Sequence, residues 1–249
     1  MEIVIPVFVF LTGLCVGSFL NVCIYRLPKR RSVTYPYSTC SSCGSRLQAV
    51  DLIPVFSYLA LKGSCRYCGG KIPVQYPLVE LTVAVLFLLA YFKYGLTVEA
   101  LLVAVLFALI TAVTVIDWRY LVIPNSLNRA GFILGLILLI ASPDHYISNI
   151  TGFLLGGGIL YLIAVVLRGG IGGGDIKFAA VIGLLLGWEY LLLTLFLAFS
   201  SAGLVGAVLV LLKIKKMKEV MAFGPYLAFG SVIAALAGDW LVSWYLQFF

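Results

Sequence analysis

Long uncharged runs limit the folds open to this chain more than any other feature. Residues 3–25 and 100–116 contain no charged side chain, and about 20 apolar residues suffice for a helix to cross a bilayer. Hydrophobic residues make up 63% of the chain and charged residues 11%, whereas soluble domains are about half apolar and about a quarter charged. The sequence therefore predicts a polytopic membrane protein.

The apolar runs divide the chain. They occupy residues 3–25, 77–92, 100–116, 127–142, 146–167, 176–188, 190–212 and 220–249. The run at 176–188 is short for a span, so we expect it to be tilted or lengthened at its ends. The pattern predicts an all-α fold of about eight transmembrane helices, with a first helix in 1–25, a polar insert in 26–76 and the remaining helices in 77–249.

Lysine and arginine are distributed with a strong bias. If the N-terminus lies outside, every lysine and arginine except Lys93 falls in a segment on the inner side, including the cluster Lys213, Lys215, Lys216 and Lys218. The positive-inside rule then places both termini outside and the insert in the cytoplasm. The net charge of +7 is therefore explained by the membrane topology. We expect the chain to associate with a lipid bilayer and not with nucleic acid.

The polar insert carries two CxxC units. Cys40 pairs with Cys43 and Cys65 with Cys68, and a glycine follows each second cysteine. Four thiolates at this spacing are typical of a structural zinc site. A pair of disulfides or a redox motif is the alternative, although disulfides rarely persist in the cytoplasm. Zinc would also help a small insert with few large apolar residues to fold.

Two aspartates stand next to apolar runs on the predicted cytoplasmic side. Asp117 follows the run at 100–116, and Asp175 follows the glycine-rich segment 169–174. If the two carboxylates meet, they can share one proton and act as an aspartic protease dyad, and the glycines Gly172, Gly173 and Gly174 would let a peptide backbone approach. Alternatively, Asp175 caps a helix and Asp117 pairs with Arg119 or Arg129.

Two further charged residues lie beside these features. Lys177 could hold a nearby carboxylate ionised or extend its ammonium group to the membrane interface. Glu80 lies just inside the run at 77–92, where it could support the active site or a transferase, or could simply interact with the dipole of a helix start.

Six ordered blocks resemble those of the bacterial type IV prepilin peptidases, also called prepilin leader peptidase/N-methyltransferases. The blocks are residues 17–28, the two CxxC units, 53–59 with 76–80, 116–117 with 123–125, 172–177 and 223–228. The first CxxC unit lacks the proline often found in the family, and Asp51 stands where asparagine is common. These departures concern the insert and leave both aspartates in place.

The resemblance implies a GxGD-type intramembrane aspartic protease of the bacterial inner membrane. Such proteins cleave the basic leader of prepilins or pseudopilins after a glycine and then methylate the new N-terminus with S-adenosyl-L-methionine. Asp117 and Asp175 match the catalytic positions, within catalytic helices in 77–249, and the four insert cysteines match the zinc ligands. The residues that bind the methyl donor are not identified by the sequence.

Two other functions are compatible with parts of this pattern. A multi-pass transporter with a zinc-bearing cytoplasmic domain could use membrane carboxylates to carry ions or protons, but its acids are expected near the middle of the membrane. A membrane thiol oxidoreductase could use the CxxC units, but it needs exposed, low-pKa cysteines.

Overall fold

The structure, a computed structural model, describes residues 3–141, 145–168, 170–214, 216 and 219–247. Gly169, Lys215 and Lys218, together with residues 1–2, 142 and 248–249 at the ends of the predicted segments, therefore lie outside it. The helices are α1 Val4–Arg26, α2 Phe56–Ala60, α3 Gln75–Tyr94, α4 Val98–Tyr120, α5 Asn125–Ala141, α6 Tyr146–Val166, α7 Gly173–Leu186, α8 Trp188–Leu211 and α9 Gly224–Leu246. No β-strand occurs in these described ranges, which confirms the predicted all-α fold.

Eight of these helices overlap the eight apolar runs. Six of them, α1, α3, α4, α6, α8 and α9, are long and apolar enough to cross a membrane. The other two, α5 with 17 residues and α7 with 14 residues, are shorter, so the crossing of all eight stays a prediction.

The chain forms two compact units, Met1–Gly95 and Leu96–Phe249. In the first unit, α1 packs directly on α3, because Gly13 and Gly17 remove side chains from one face of α1. A Cβ at Gly17 would lie 2.6 Å from the Cα of Glu80, and one at Gly13 would lie 2.5 Å from the Cα of Ala84. This small-residue spacing permits close contact between membrane helices, and it fixes Glu80 against α1.

In the second unit, α7 is the central helix. It contacts α4, α5, α6, α8 and α9, and every residue from Phe178 to Leu185 is buried. Glycines again allow close approach: a Cβ at Gly156 of α6 would lie 2.4 Å from the carbonyl oxygen of Ala179. A helix that is apolar on all sides is suited to such a buried position. The short run at 176–188 therefore forms a buried core element, and the N-terminal turn of this helix carries Asp175.

Candidate active site and metal centre

The two CxxC units of the insert fold into matching turns. In each, the glycine after the second cysteine donates its amide N–H to the carbonyl of the first cysteine at 2.9 Å, Gly44 to Cys40 and Gly69 to Cys65. These glycines have φ values of 72° and 70°, a left-handed conformation that glycine adopts without steric penalty. The matching glycines therefore allow both turns to close.

The turns bring four thiols together. Their Sγ atoms all lie within 4.8 Å of one another, in Cys40, Cys43, Cys65 and Cys68. The distance between the Sγ atoms of Cys40 and Cys68 is 3.9 Å, which matches the edge of about 3.8 Å expected for sulfurs bound tetrahedrally to zinc at about 2.3 Å. The cysteines are free thiols, as a metal site requires. Amide N–H groups of Cys43 and Ser42 lower the pKa of the Cys40 thiol to about 6.

Asp51 connects the segment between the two CxxC units to the second of their turns. Its carboxylate accepts hydrogen bonds from the amide of Gln48 at 3.0 Å, from Arg66 Nε at 2.6 Å and from the hydroxyl of Tyr67 at 3.0 Å. The Gln48 amide and the Arg66 guanidinium lower the pKa of this carboxyl group. Asp51, the residue that departs from the family pattern, thus holds two parts of the insert together.

Asp117 lies in the last turn of α4 and is only 5% exposed. Its Oδ2 accepts a hydrogen bond of 2.8 Å from the amide of Gly224, the first residue of α9. The N-terminus of a helix carries partial positive charge and stabilises an anion. Among the described residues, Asp117 makes no ion pair with Arg119 or Arg129, so the proposed structural role through those arginines is not observed.

Asp175 lies in the first turn of α7, and the residue at the N-cap position is Gly172. The alternative that Asp175 caps the helix is therefore wrong. Its carboxylate folds back over Gly172, where a Cβ would lie 2.9 Å from Asp175 Oδ2. The other oxygen, Oδ1, is buried and has no hydrogen-bond partner in the described part of the chain.

The second unit brings the two aspartates together. Helices α4 and α7 are in contact, and the carboxylates of Asp117 and Asp175 are near enough to interact electrostatically. Each carboxylate is also close to a helix N-terminus: Asp117 accepts a hydrogen bond from the first residue of α9, and Asp175 lies in the first turn of α7. A pair of interacting, largely buried carboxylates can hold and transfer one proton between them.

Nearby polar groups hold the start of α7 on α5. Asn128 Nδ2 donates to the carbonyl of Gly174 at 3.2 Å, and Lys177 Nζ donates to Asn125 Oδ1 at 3.0 Å. Lys177 therefore contacts an amide, and no ion pair with an aspartate is found for it within the described ranges. No feature of the sequence distinguished Asn128, whose partner lies 46 positions away.

The three glycines before Asp175 differ in their surroundings. Gly172 leaves room for the Asp175 carboxylate, and a Cβ at Gly174 would lie 3.0 Å from the Cβ of Ile123. Gly173 has no such neighbour, since a Cβ there would meet nothing within 4 Å. Two of the glycines are thus required by internal packing, and the third leaves an open surface beside Asp175.

The families that the chain matches agree with a pair of aspartates and a cysteine insert. Residues 11–94 match the bacterial peptidase A24 N-terminal domain, and residues 104–211 match the type IV leader peptidase family. The chain belongs to the type IV leader peptidase family. The resemblance deduced from the sequence is confirmed, and a transporter is not favoured.

Two relatives show how much of this chain the similarity covers. A protein of Pseudomonas putida is 36% identical over 255 residues, which cover 91% of this chain and 88% of that protein. One of Bacillus subtilis (strain 168) is 35% identical over 239 residues, or 96% of each chain. Both are named prepilin leader peptidase/N-methyltransferase. No solved structure matches the chain.

Proposed function

We propose that this protein is an intramembrane aspartic peptidase and N-methyltransferase of the bacterial inner membrane. It cleaves the basic leader of a prepilin or pseudopilin after a glycine and methylates the new N-terminal residue. The observation that carries the proposal is the contact between helices α4 and α7, which bear Asp117 and Asp175, in a chain of the type IV leader peptidase family.

Asp117 and Asp175 have different roles in the proposed cleavage. The Gly224 amide stabilises the charged form of Asp117, so Asp117 accepts a proton from water as the water oxygen attacks the scissile carbonyl carbon. Asp175, which carries the shared proton, donates it to the carbonyl oxygen. The intermediate then collapses: Asp117 returns its proton to the leaving nitrogen, the carbon–nitrogen bond breaks and Asp175 recovers a proton from the hydroxyl group.

The open side of the Asp175 turn is the surface on which we place the substrate. A peptide must approach the dyad as an extended backbone for its carbonyl carbon to reach the water. Gly173 has no neighbour where a side chain would stand, and glycine permits a second backbone to come close. Lys177 and Asn125 support this turn from the side through their hydrogen bond.

The insert is proposed to hold one structural zinc ion. Four cysteine thiolates fill the coordination sphere of such a site and leave no open position for a substrate. The sulfur separations support this assignment, and zinc would stabilise the two turns of the insert without taking part in cleavage.

Methylation is the second proposed activity. S-adenosyl-L-methionine, when bound, supplies a methyl group attached to a positively charged sulfur. The new amino terminus must first lose a proton, because the nitrogen lone pair forms the new bond to the methyl carbon. Transfer of the methyl group would break its bond to sulfur, leave the bonding electrons on sulfur and give a secondary amine.

The lysine and arginine distribution supports a proposed orientation with both termini outside. The insert and both aspartates then face the cytoplasm, where the basic leader of a membrane-anchored prepilin would lie. Cysteine accessibility to a membrane-impermeant reagent in intact cells tests this, and labelling of the insert cysteines from outside would contradict it.

A single incubation tests both activities. The purified full chain in detergent is mixed with a full-length prepilin, with and without S-adenosyl-L-methionine, and the products are analysed by mass spectrometry. We expect leader loss in both samples and the mass of one added methyl group only with the donor. Absence of cleavage would contradict the peptidase, and cleavage without the added mass would contradict the transferase alone.

The contact between Gly224 and Asp117 leads to a further prediction. A Cβ at position 224 would lie 2.9 Å from Asp117 Oδ2 and 3.0 Å from the Cγ1 of Val113, so Gly224→Ala should displace the carboxylate. A shift of about 1 Å at a catalytic group can lower a rate about 100-fold, and we expect a loss of that order in cleavage rate. Gly203→Ala in α8 is the control, because its Cβ would meet nothing within 4 Å. Equal cleavage rates in the two variants would contradict the prediction.

A further inference from the structure

The first unit contains a cavity of about 290 Å³ where α1 and α3 meet the cysteine insert. Ser18, Asn21 and Glu80 line it from the membrane helices, and Cys40 and Cys65 line it from the two turns of the insert. Its volume is close to the lower end of the ~300–1,000 Å³ range of small-molecule sites. All of its lining residues belong to the first unit.

Glu80 is the most unusual group on this lining. The residue is 6% exposed, and its Oε2 accepts a hydrogen bond of 2.7 Å from the amide of Val55. Within the described residues, no lysine or arginine forms an ion pair with it. A buried carboxylate without a cationic partner is expensive and is therefore a marker of function, and a cationic ligand would supply the missing charge.

Glu80 also holds a strained turn against the cavity. Val55 has φ 61° and ψ −49°, a conformation that is rare for a β-branched residue. The turn closes through a hydrogen bond of 2.6 Å from the Phe56 amide to the Pro54 carbonyl. Such strain persists where the surroundings impose it, and it is concentrated at ligand sites. The Glu80 carboxylate imposes it here by binding the Val55 amide.

The rest of the lining combines aromatic rings with positive charge. Tyr25, Tyr58 and Tyr76 face the cavity, and tyrosine rings can stack on a flat base. Arg26 also lines it, and its hydrogen bonds go to backbone carbonyls, among them that of Pro36 at 2.7 Å. Arg26 makes no ion pair in the described part of the chain, so no acid of the protein neutralises its positive charge.

We propose that this cavity binds the methyl donor, a nucleoside with a positively charged sulfur and an amino-acid tail, and that Glu80 pairs with a cationic group of that donor. The inference rests on the proposed transferase activity and assigns its donor site. Base, cation and carboxylate of the donor each find a complementary group on one lining: tyrosine rings, Glu80 and Arg26. The donor would thus be held beside the zinc turns of the insert.

Binding of S-adenosyl-L-methionine to the purified full chain, measured by equilibrium dialysis without any prepilin, tests the site. We expect Glu80→Gln, which keeps the shape and removes the charge, to weaken binding at least about tenfold, since truncating one partner of a buried charge pair has effects of this size or larger. Glu189→Gln, at the exposed first turn of α8, is the matched control and should bind as the wild type does. Equal binding by all three proteins would overturn the assignment.

Two further measurements keep the test independent of folding. Ser57→Trp fills the cavity from α2 without altering a charge and should also abolish binding. A photoreactive azido analogue of the donor should label peptides from residues 18–80 in the wild type. Labelling confined to residues 96–247 would overturn the proposal even if Glu80→Gln does not fold. A wild type that binds no donor at all would instead contradict the transferase activity on which the inference rests.

Discussion

Replacing either Asp117 or Asp175 with asparagine is expected to stop leader cleavage almost completely. Each substitution keeps the size of the side chain and removes one carboxylate, so the remaining group can no longer exchange a proton with a partner. Loss of one member of a catalytic unit lowers rates by on the order of 10⁴–10⁶, and we expect a fall within that range. The measurement is the initial rate of prepilin cleavage in detergent, followed by mass spectrometry.

Glu189→Gln is the control for these variants, because it also neutralises one carboxylate in the second unit but lies exposed at the start of α8. It should cleave at the wild-type rate. Both aspartate variants should insert into membranes and retain zinc, since neither residue belongs to the insert. Cleavage near the wild-type rate by either asparagine variant would exclude the proposed mechanism.

Loss of zinc is expected to unfold the cysteine insert. Binding of structural zinc has an apparent free energy of about 10–16 kcal/mol in small zinc-binding peptides, which exceeds the total stability of many domains, about 5–15 kcal/mol. The Cys40→Ser, Cys65→Ser double variant removes one thiolate from each turn. We expect it to lack zinc by metal analysis and to lose hydrogen-exchange protection at the amides of Gly44 and Gly69.

Cys15→Ser is the matched control, because Cys15 lies in α1 and outside the four-sulfur cluster. It should retain zinc and an ordered insert. The membrane helices of the double variant should remain helical, since their backbone hydrogen bonds are satisfied within each helix. Wild-type protein purified without zinc, or protected Gly44 and Gly69 amides in the double variant, would contradict the metal assignment.

The positions of the helices could be predicted from the sequence because helix formation in a membrane depends on local composition. Each apolar run overlaps one helix, and the start of α7 at Gly173 is the clearest difference from the predicted run at 176–188. The glycine-rich segment 169–174 precedes the predicted run, yet Gly173 and Gly174 form the first turn of the helix. Packing against Ile123 and the hydrogen bond from Asn128 hold that turn in place.

The helical membrane fold, the two CxxC units and the two aspartates that stand out against apolar surroundings could all be identified from the amino-acid sequence. Short-range features were enough for these, since apolar length, CxxC spacing and isolated charges are visible within a few residues. Which distant groups come into contact became visible only in the folded chain. The Gly224 amide reaches Asp117 across 107 positions, and Glu80 reaches the Val55 amide across 25. Such contacts depend on which helix faces pack together, and a uniformly apolar helix surface carries no local signal of its partner.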